Sequence, residues 1–197
     1  MTTRRFGTST RLRLLRVSEL AGLPWCGCRE RRLLTDDLGW AQAGVRDWGL
    51  CGVALLSGHQ VDGYALVSPA RYVPRGHPLA RGANADAAAL VALRLPQECP
   101  AGRQLLQGLA ARLVDQRRVR ALDAAGSAAG SCLRPASSWL EESGFVPLGD
   151  GLRYRLDLRA TRSWLPSVSD VLRQVASVVR PLPPPAPAPA VRLRRAS

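Results

Sequence analysis

Residues 135–158 constrain this chain more than any other stretch. After Pro135, a short helical segment carries Trp139 and Leu140 on its apolar side and stops at Gly144, and Phe145 follows with no spacer. A glycine able to take positive φ at a helix end, directly followed by Phe145, Val146 and Leu148, obliges helix and strand to pack together. Tyr154, Leu156 and Leu158 then alternate with Arg155 and Asp157, the pattern of a half-buried strand. Gly149, Asp150 and Gly151 supply a hairpin turn between the two strands.

Composition limits what this segment can belong to. A chain of 197 residues, 46% of them hydrophobic, builds one ordinary core, so one domain with tails is expected. The net charge of +13 points towards an anionic partner. All 28 basic residues are arginine, however, and isoleucine is absent as well, so a bias across the whole chain explains much of the charge. Nucleic acid stays a weakly supported partner. The five tryptophans fall along helical patterns, which suits core packing better than a platform for bases.

Cys26, Cys28, Cys51, Cys99 and Cys132 are odd in number and irregularly spaced, so no disulfide framework is expected. Cys26 and Cys28 stand closer than a zinc knuckle requires and lack a second pair, so no metal is expected either. Met1 to Thr10 contains no apolar core of a signal peptide, and no run approaches the roughly 20 apolar residues of a membrane span. A reduced, cytoplasmic protein without a membrane contact is the expectation.

Leu12, Leu14 and Val17 mark a first strand, with Ser18 as cap of a short turn around Leu20. Leu34, Leu38, Ala41, Val45 and Trp48 predict a helix over 31–48, ended by Gly49. Residues 50–56 and 61–67 read as a hairpin around Gly58, and the prolines and glycines up to residue 84 as a long loop containing His77, expected to be exposed like His59. The almost wholly apolar run 87–95 suits a strand buried on both faces. Leu105, Leu106, Leu109 and Leu113 stripe a helix over 102–114, and residues 119–124 give another strand. The expected organisation is therefore a disordered segment 1–10, an α/β domain over 11–160, a helix in 161–180 and a disordered Pro/Ala-rich, Arg-ended tail over 181–197. That tail is a candidate weak electrostatic anchor.

This order calls for a mixed, mostly antiparallel sheet with helices on both faces. The strand Leu90 to Leu95 followed by Pro96, the helix opening Gly102-Arg103, and Trp139 to Phe145 with its hairpin together resemble the GCN5-related N-acetyltransferases, or GNAT superfamily. Gly63 to Leu66, Pro69 and Tyr72 to Arg75 are similar to stretches in its stand-alone actinobacterial members. The resemblance implies acetyl-CoA as co-substrate. It implies that the pantetheine arm lies along the backbone of Leu93, Arg94 and Leu95, near Trp139. The diphosphate would sit at the helix start formed by Ala101, Gly102 and Arg103, where unpaired N–H groups favour an anion.

The same resemblance places a catalytic tyrosine at a position occupied here by Leu140, leaving Tyr154 as candidate acid and Asp86 as candidate base acting through water. Gln97 to Arg103 is about two residues shorter than the family's phosphate loop, and Pro100 brings no N–H donor. Two functions are therefore expected: acetyl transfer to an amine of a small molecule or protein, or a non-catalytic binding or regulatory module on the same fold. Neither the acceptor nor a homodimer is decided by these residues.

Overall fold

The computed structural model describes residues 10–28, 31–95, 99–116, 118–131, 133–149 and 152–159. The chain divides into two units, Met1–Leu165 and Pro166–Ser197, and every described residue belongs to the first. The expected helix in 161–180 and the tail lie outside the described residues.

Seven strands build one sheet: β1 (Thr10–Leu14), β2 (Gly52–Ser57), β3 (Gln60–Pro69), β4 (Ala87–Arg94), β5 (Ala121–Ala125), β6 (Val146–Leu148) and β7 (Arg153–Asp157). Their order is β1-β2-β3-β4-β5-β7-β6. All neighbours pair antiparallel except β4 and β5, which are parallel. A parallel pair needs a crossover, and α3 (Cys99–Val114) supplies it. The other α-helices among the described residues are α1 (Arg32–Thr35), α2 (Gly39–Trp48) and α4 (Ser137–Glu142).

Alternation along the strands sends side chains into two cores. Val53, Leu55, Ala65, Val67 and Leu90 meet Leu105, Leu109 and Leu113 of α3, together with Leu140, Phe145 and Tyr154. Ala54, Tyr64, Leu66 and Val91 meet Leu34, Trp40 and Ala41 on the opposite face. The sheet thus has helices on both faces, and its central strands are buried on both sides. Each leucine buried this way contributes about 1.5–3 kcal/mol over its exposed state. Along β4 the alternation breaks: the β3–β4 register skips Val91, so Val91 and Ala92 share one face while Leu90 and Leu93 share the other. This is a β-bulge in the middle of the strand.

Four expectations are corrected here. The predicted 31–48 helix breaks at residues 36–38, because Asp37 accepts the N–H of Gly39 at 2.8 Å and begins a second helix there. Trp40 Nε1 donates to the Leu34 carbonyl and holds the two pieces together. The first strand stops at Leu14, and Val17 opens a 3-10 turn over Val17–Gly22, where Glu19 rather than Ser18 accepts the Arg16 N–H. Cys26 and Cys28, expected as separate thiols, are joined by a disulfide, their Cα atoms 5.3 Å apart. His77, expected to be exposed, is buried.

The closing segment forms as its residues dictate. Gly144 takes φ 87°, Phe145 returns its N–H to the Leu140 carbonyl, and the Phe145 ring enters the core. Among the described residues no helix is long and apolar enough to cross a membrane.

Candidate active site

β4 and β5 stay together only from Ala87–Ala121 to Ala89–Asp123. β5 then follows β7 as far as Ala125–Arg153, while β4 runs on to Arg94 alongside β3. On the side that β5 has left, residues 90–94 have no strand partner among the described residues. Five residues at about 3.3 Å each make an open edge of about 16 Å. Such an edge offers backbone donors and acceptors to an extended ligand with amide groups.

The other end of β4 is sealed. Arg120 donates its N–H to the Asp86 carbonyl, and the Arg155 guanidinium binds both oxygens of Asp86 at 2.9 and 3.0 Å and reaches Asp123 at 3.4 Å. Asn84 gives Asp123 two further hydrogen bonds at 3.0 Å. Asp86, the expected base, is thus committed to an ion pair at the paired end of the strand, about five residues or roughly 16 Å from its bulge. It is a strut of the sheet.

Residues 73–86 cross the face that carries Val91. His77 donates from Nε2 to the Val91 carbonyl at 3.0 Å and accepts the Leu79 N–H on Nδ1 at 3.1 Å, so both ring nitrogens are used. Burial is the main force that pushes its pKa down, to about 4, with the nearby Arg134 charge adding to it. The imidazole is therefore a neutral clamp between this loop and the bulge. A cavity of about 280 Å³ lies beside it, with Pro78 and Arg81 on the loop side and Ala125, Gly126, Arg134 and Arg153 on the β5 and β7 side. Nothing in the sequence singled out Arg81 or Arg134, in a chain with this much arginine.

The expected cofactor residues fall around the far end of β4. The side chains of Leu93 and Ala101 enter the α3-facing core, with Leu95 and Trp139 packed at its margin. Gly102 is buried against these two: a Cβ there would meet Leu95 at 3.2 Å and Trp139 at 3.8 Å. Its lack of a side chain serves helix packing. Arg94 donates to the Pro24 carbonyl, which ties the Cys26–Cys28 loop to the end of the strand, and Arg103 is exposed at the start of α3. Gln97 and Glu98 lie outside the described residues.

Tyr154, the expected acid, is 3% exposed, and its hydroxyl donates to Glu141 at 3.3 Å. It cross-braces β7 and α4, and Leu140 is wholly buried beside it in the same core. The Cys51 thiol is buried, which pushes its pKa up to about 11 and removes it as a nucleophile near neutral pH.

No family model matches the sequence, and no curated protein matches it. Solved structures do superpose. A tyrosine-to-phenylalanine variant of KacT aligns with a TM-score of 0.51 at 14% identity, over 79% of this chain and 99% of the other. A variant of the AtaT toxin, bound to the C-terminus of the antitoxin AtaR and acetyl-CoA, gives 0.50 at 14% identity, over 80% and 98%. A Desulfovibrio desulfuricans protein assigned to the GNAT family of acetyltransferases gives 0.47 at 18% identity, over 76% and 98%. The strand order, the single parallel pairing that splays after three residue pairs, and the superpositions at 0.50 and 0.51 together give this chain the GNAT fold.

Proposed function

We propose that this chain transfers an acetyl group from acetyl-CoA to an amine held in the opening between β4 and β5. The open edge at residues 90–94 carries this reading, because α3 begins five residues after the strand ends, so that its unpaired N-terminal N–H groups would come within reach of a ligand held on that edge. The backbone of Leu93, Arg94 and Leu95 would hold the pantetheine amides, and the first turn of α3 with Arg103 would receive the diphosphate. Acetyl-CoA brings an activated thioester, so the protein's share of the chemistry is to position the amine. A structure of AtaT with acetyl-CoA bound supports the choice of co-substrate for this fold.

A second reading, a non-catalytic binding module, is favoured by one observation. None of the acid–base groups located above is free in the opening: Tyr154 serves Glu141, His77 uses both nitrogens, and Asp86 serves Arg155. Under the first reading the amine proton therefore passes to water. Isothermal titration with acetyl-CoA separates the two from any other function: no heat at millimolar ligand overturns the acetyl-CoA reading. Binding with no thiol release across a panel of amines would establish the second.

A further inference from the structure

The cavity next to the His77 loop, past the end of β5, is lined by three arginines, Arg81, Arg134 and Arg153, and by no carboxylate among its described residues. This is not the arginine content of the chain showing everywhere. The larger cavity of about 700 Å³, between the ends of α2 and α3, mixes Asp47 and Asp115 with Arg71 and Arg118. A third, near α1, mixes Asp36 with Arg31 and Arg32. Of these three, only the cavity past the end of β5 carries a single sign of charge among its described lining residues.

Its arginines differ in their partners. Arg153 donates to the Gly82 carbonyl at 3.1 Å. Among the described residues Arg134 is hydrogen-bonded through its backbone: its N–H goes to Ser131, and its carbonyl accepts from Ser127 and Ser131. The Arg134 Nε is buried and has no hydrogen-bond partner. A buried guanidinium N–H without an acceptor is destabilising, and an anion entering the cavity would supply that acceptor. Arg81 lines the cavity and is exposed, with no carboxylate bound to it among the described residues.

We propose that the acceptor is a small amine that also bears a carboxylate or phosphate, received by Arg81 and Arg134 where the β4–β5 opening meets the loop of His77. The proposal rests on the acetyltransferase reading above and narrows its substrate. Guanidinium forks bind carboxylate and phosphate through paired, charge-assisted hydrogen bonds. At about 280 Å³ the cavity lies near the lower bound of ligand pockets, a size for one acidic head group. A polycationic amine would meet like charges on both walls.

The test compares matched amines with the full chain: phosphoethanolamine against ethanolamine, and glutamate against glutamine amide. The acidic member of each pair is expected to show a kcat/KM higher by roughly tenfold or more, and the better pair identifies phosphate or carboxylate. Arg134→Gln and Arg81→Gln are each expected to remove most of that preference through KM while the acetyl-CoA Kd stays unchanged. Arg112→Gln, on an exposed part of α3, is the charge-matched control and is expected to change nothing. Turnover with no acidic preference, or a preference untouched by both cavity variants, overturns the proposal and leaves the transferase reading standing. If acetyl-CoA does not bind, thermal stabilisation by phosphoethanolamine or glutarate still decides the cavity's role. A shift lost in Arg134→Gln or Arg81→Gln and kept in Arg112→Gln supports the anion site, and no shift in the unmodified chain overturns it. Arg81 is exposed, so its variant keeps the test valid should Arg134→Gln fail to fold.

Discussion

The two ends of β4 are built on opposite principles. Its first three residues pair with β5, Ala88 and Ala89 with β3 as well, and this end is locked by Asp86, Arg155, Asp123 and Asn84. Its last five have β3 on one side and an open edge on the other, steadied by the His77 contact at Val91 and by the Arg94 contact with Pro24. The sheet presents an edge without unravelling: charge and strand pairing fix one end, and the unpaired end is aimed by what fixes the other.

The sealed end is the place to break this contrast. Arg155→Met leaves Asp123, whose side chain is 3% exposed, with a buried charge that only Asn84 answers. It is expected to cost about 3 kcal/mol in urea unfolding, and a loss below about 1 kcal/mol would show that the ion network does not hold the strand. The clamp at the bulge is next. His77 has a folded pKa near 4 against an ordinary 6.5, so the unfolded chain binds the extra proton between these values. Stability is full above about pH 6.5 and falls as pH drops towards 4, with a loss of roughly 2 kcal/mol between about pH 7 and pH 5. The His77→Gln variant is expected to lose this component, and a melting profile with the same pH slope in both proteins would count against the clamp.

At the open end the effects shrink. Arg94→Ala frees the Pro24 carbonyl at an exposed site, and about 1 kcal/mol or less is expected from thermal melts. A loss as large as that of Arg155→Met would erase the distinction between the two ends. Tyr154→Phe removes one hydrogen bond to the exposed Glu141 and is expected to cost under about 1 kcal/mol. It is also expected to leave any acetyl transfer rate unchanged, because the hydroxyl is turned into the brace between β7 and α4. A fall in kcat of tenfold or more would restore Tyr154 as the acid.

The sheet was readable because its signals are local. Gly144 and Phe145, the β2–β3 hairpin around Gly58 and the leucine stripe of α3 each state their element within a few residues. The break at Asp37 was not, since one carboxylate overrides a helical period that continues on both sides of it. The roles of Asp86 and His77 depend on partners farther along the chain, 69 residues away for Asp86 and Arg155 and 14 for His77 and Val91. No spacing rule conveys that. The sequence marked a loop at residues 69–84 and an edge at 93–95, but what faces them is set by packing across the two cores.

Gly52, in β2, is enclosed by backbone: a Cβ there would come within 2.5 Å of the Ala65 carbonyl oxygen and 3.1 Å of the Leu66 Cα. Gly44 in α2 stands likewise against the Leu50 carbonyl oxygen at 2.8 Å. A neighbouring side chain can rotate out of the way, whereas a paired strand cannot. In a saturation library these two positions should therefore admit a single letter, while Val146 on the rim of the sheet, 63% exposed, admits most of the alphabet. A fold held at points where no side chain fits can drift almost everywhere else and still close in the same shape.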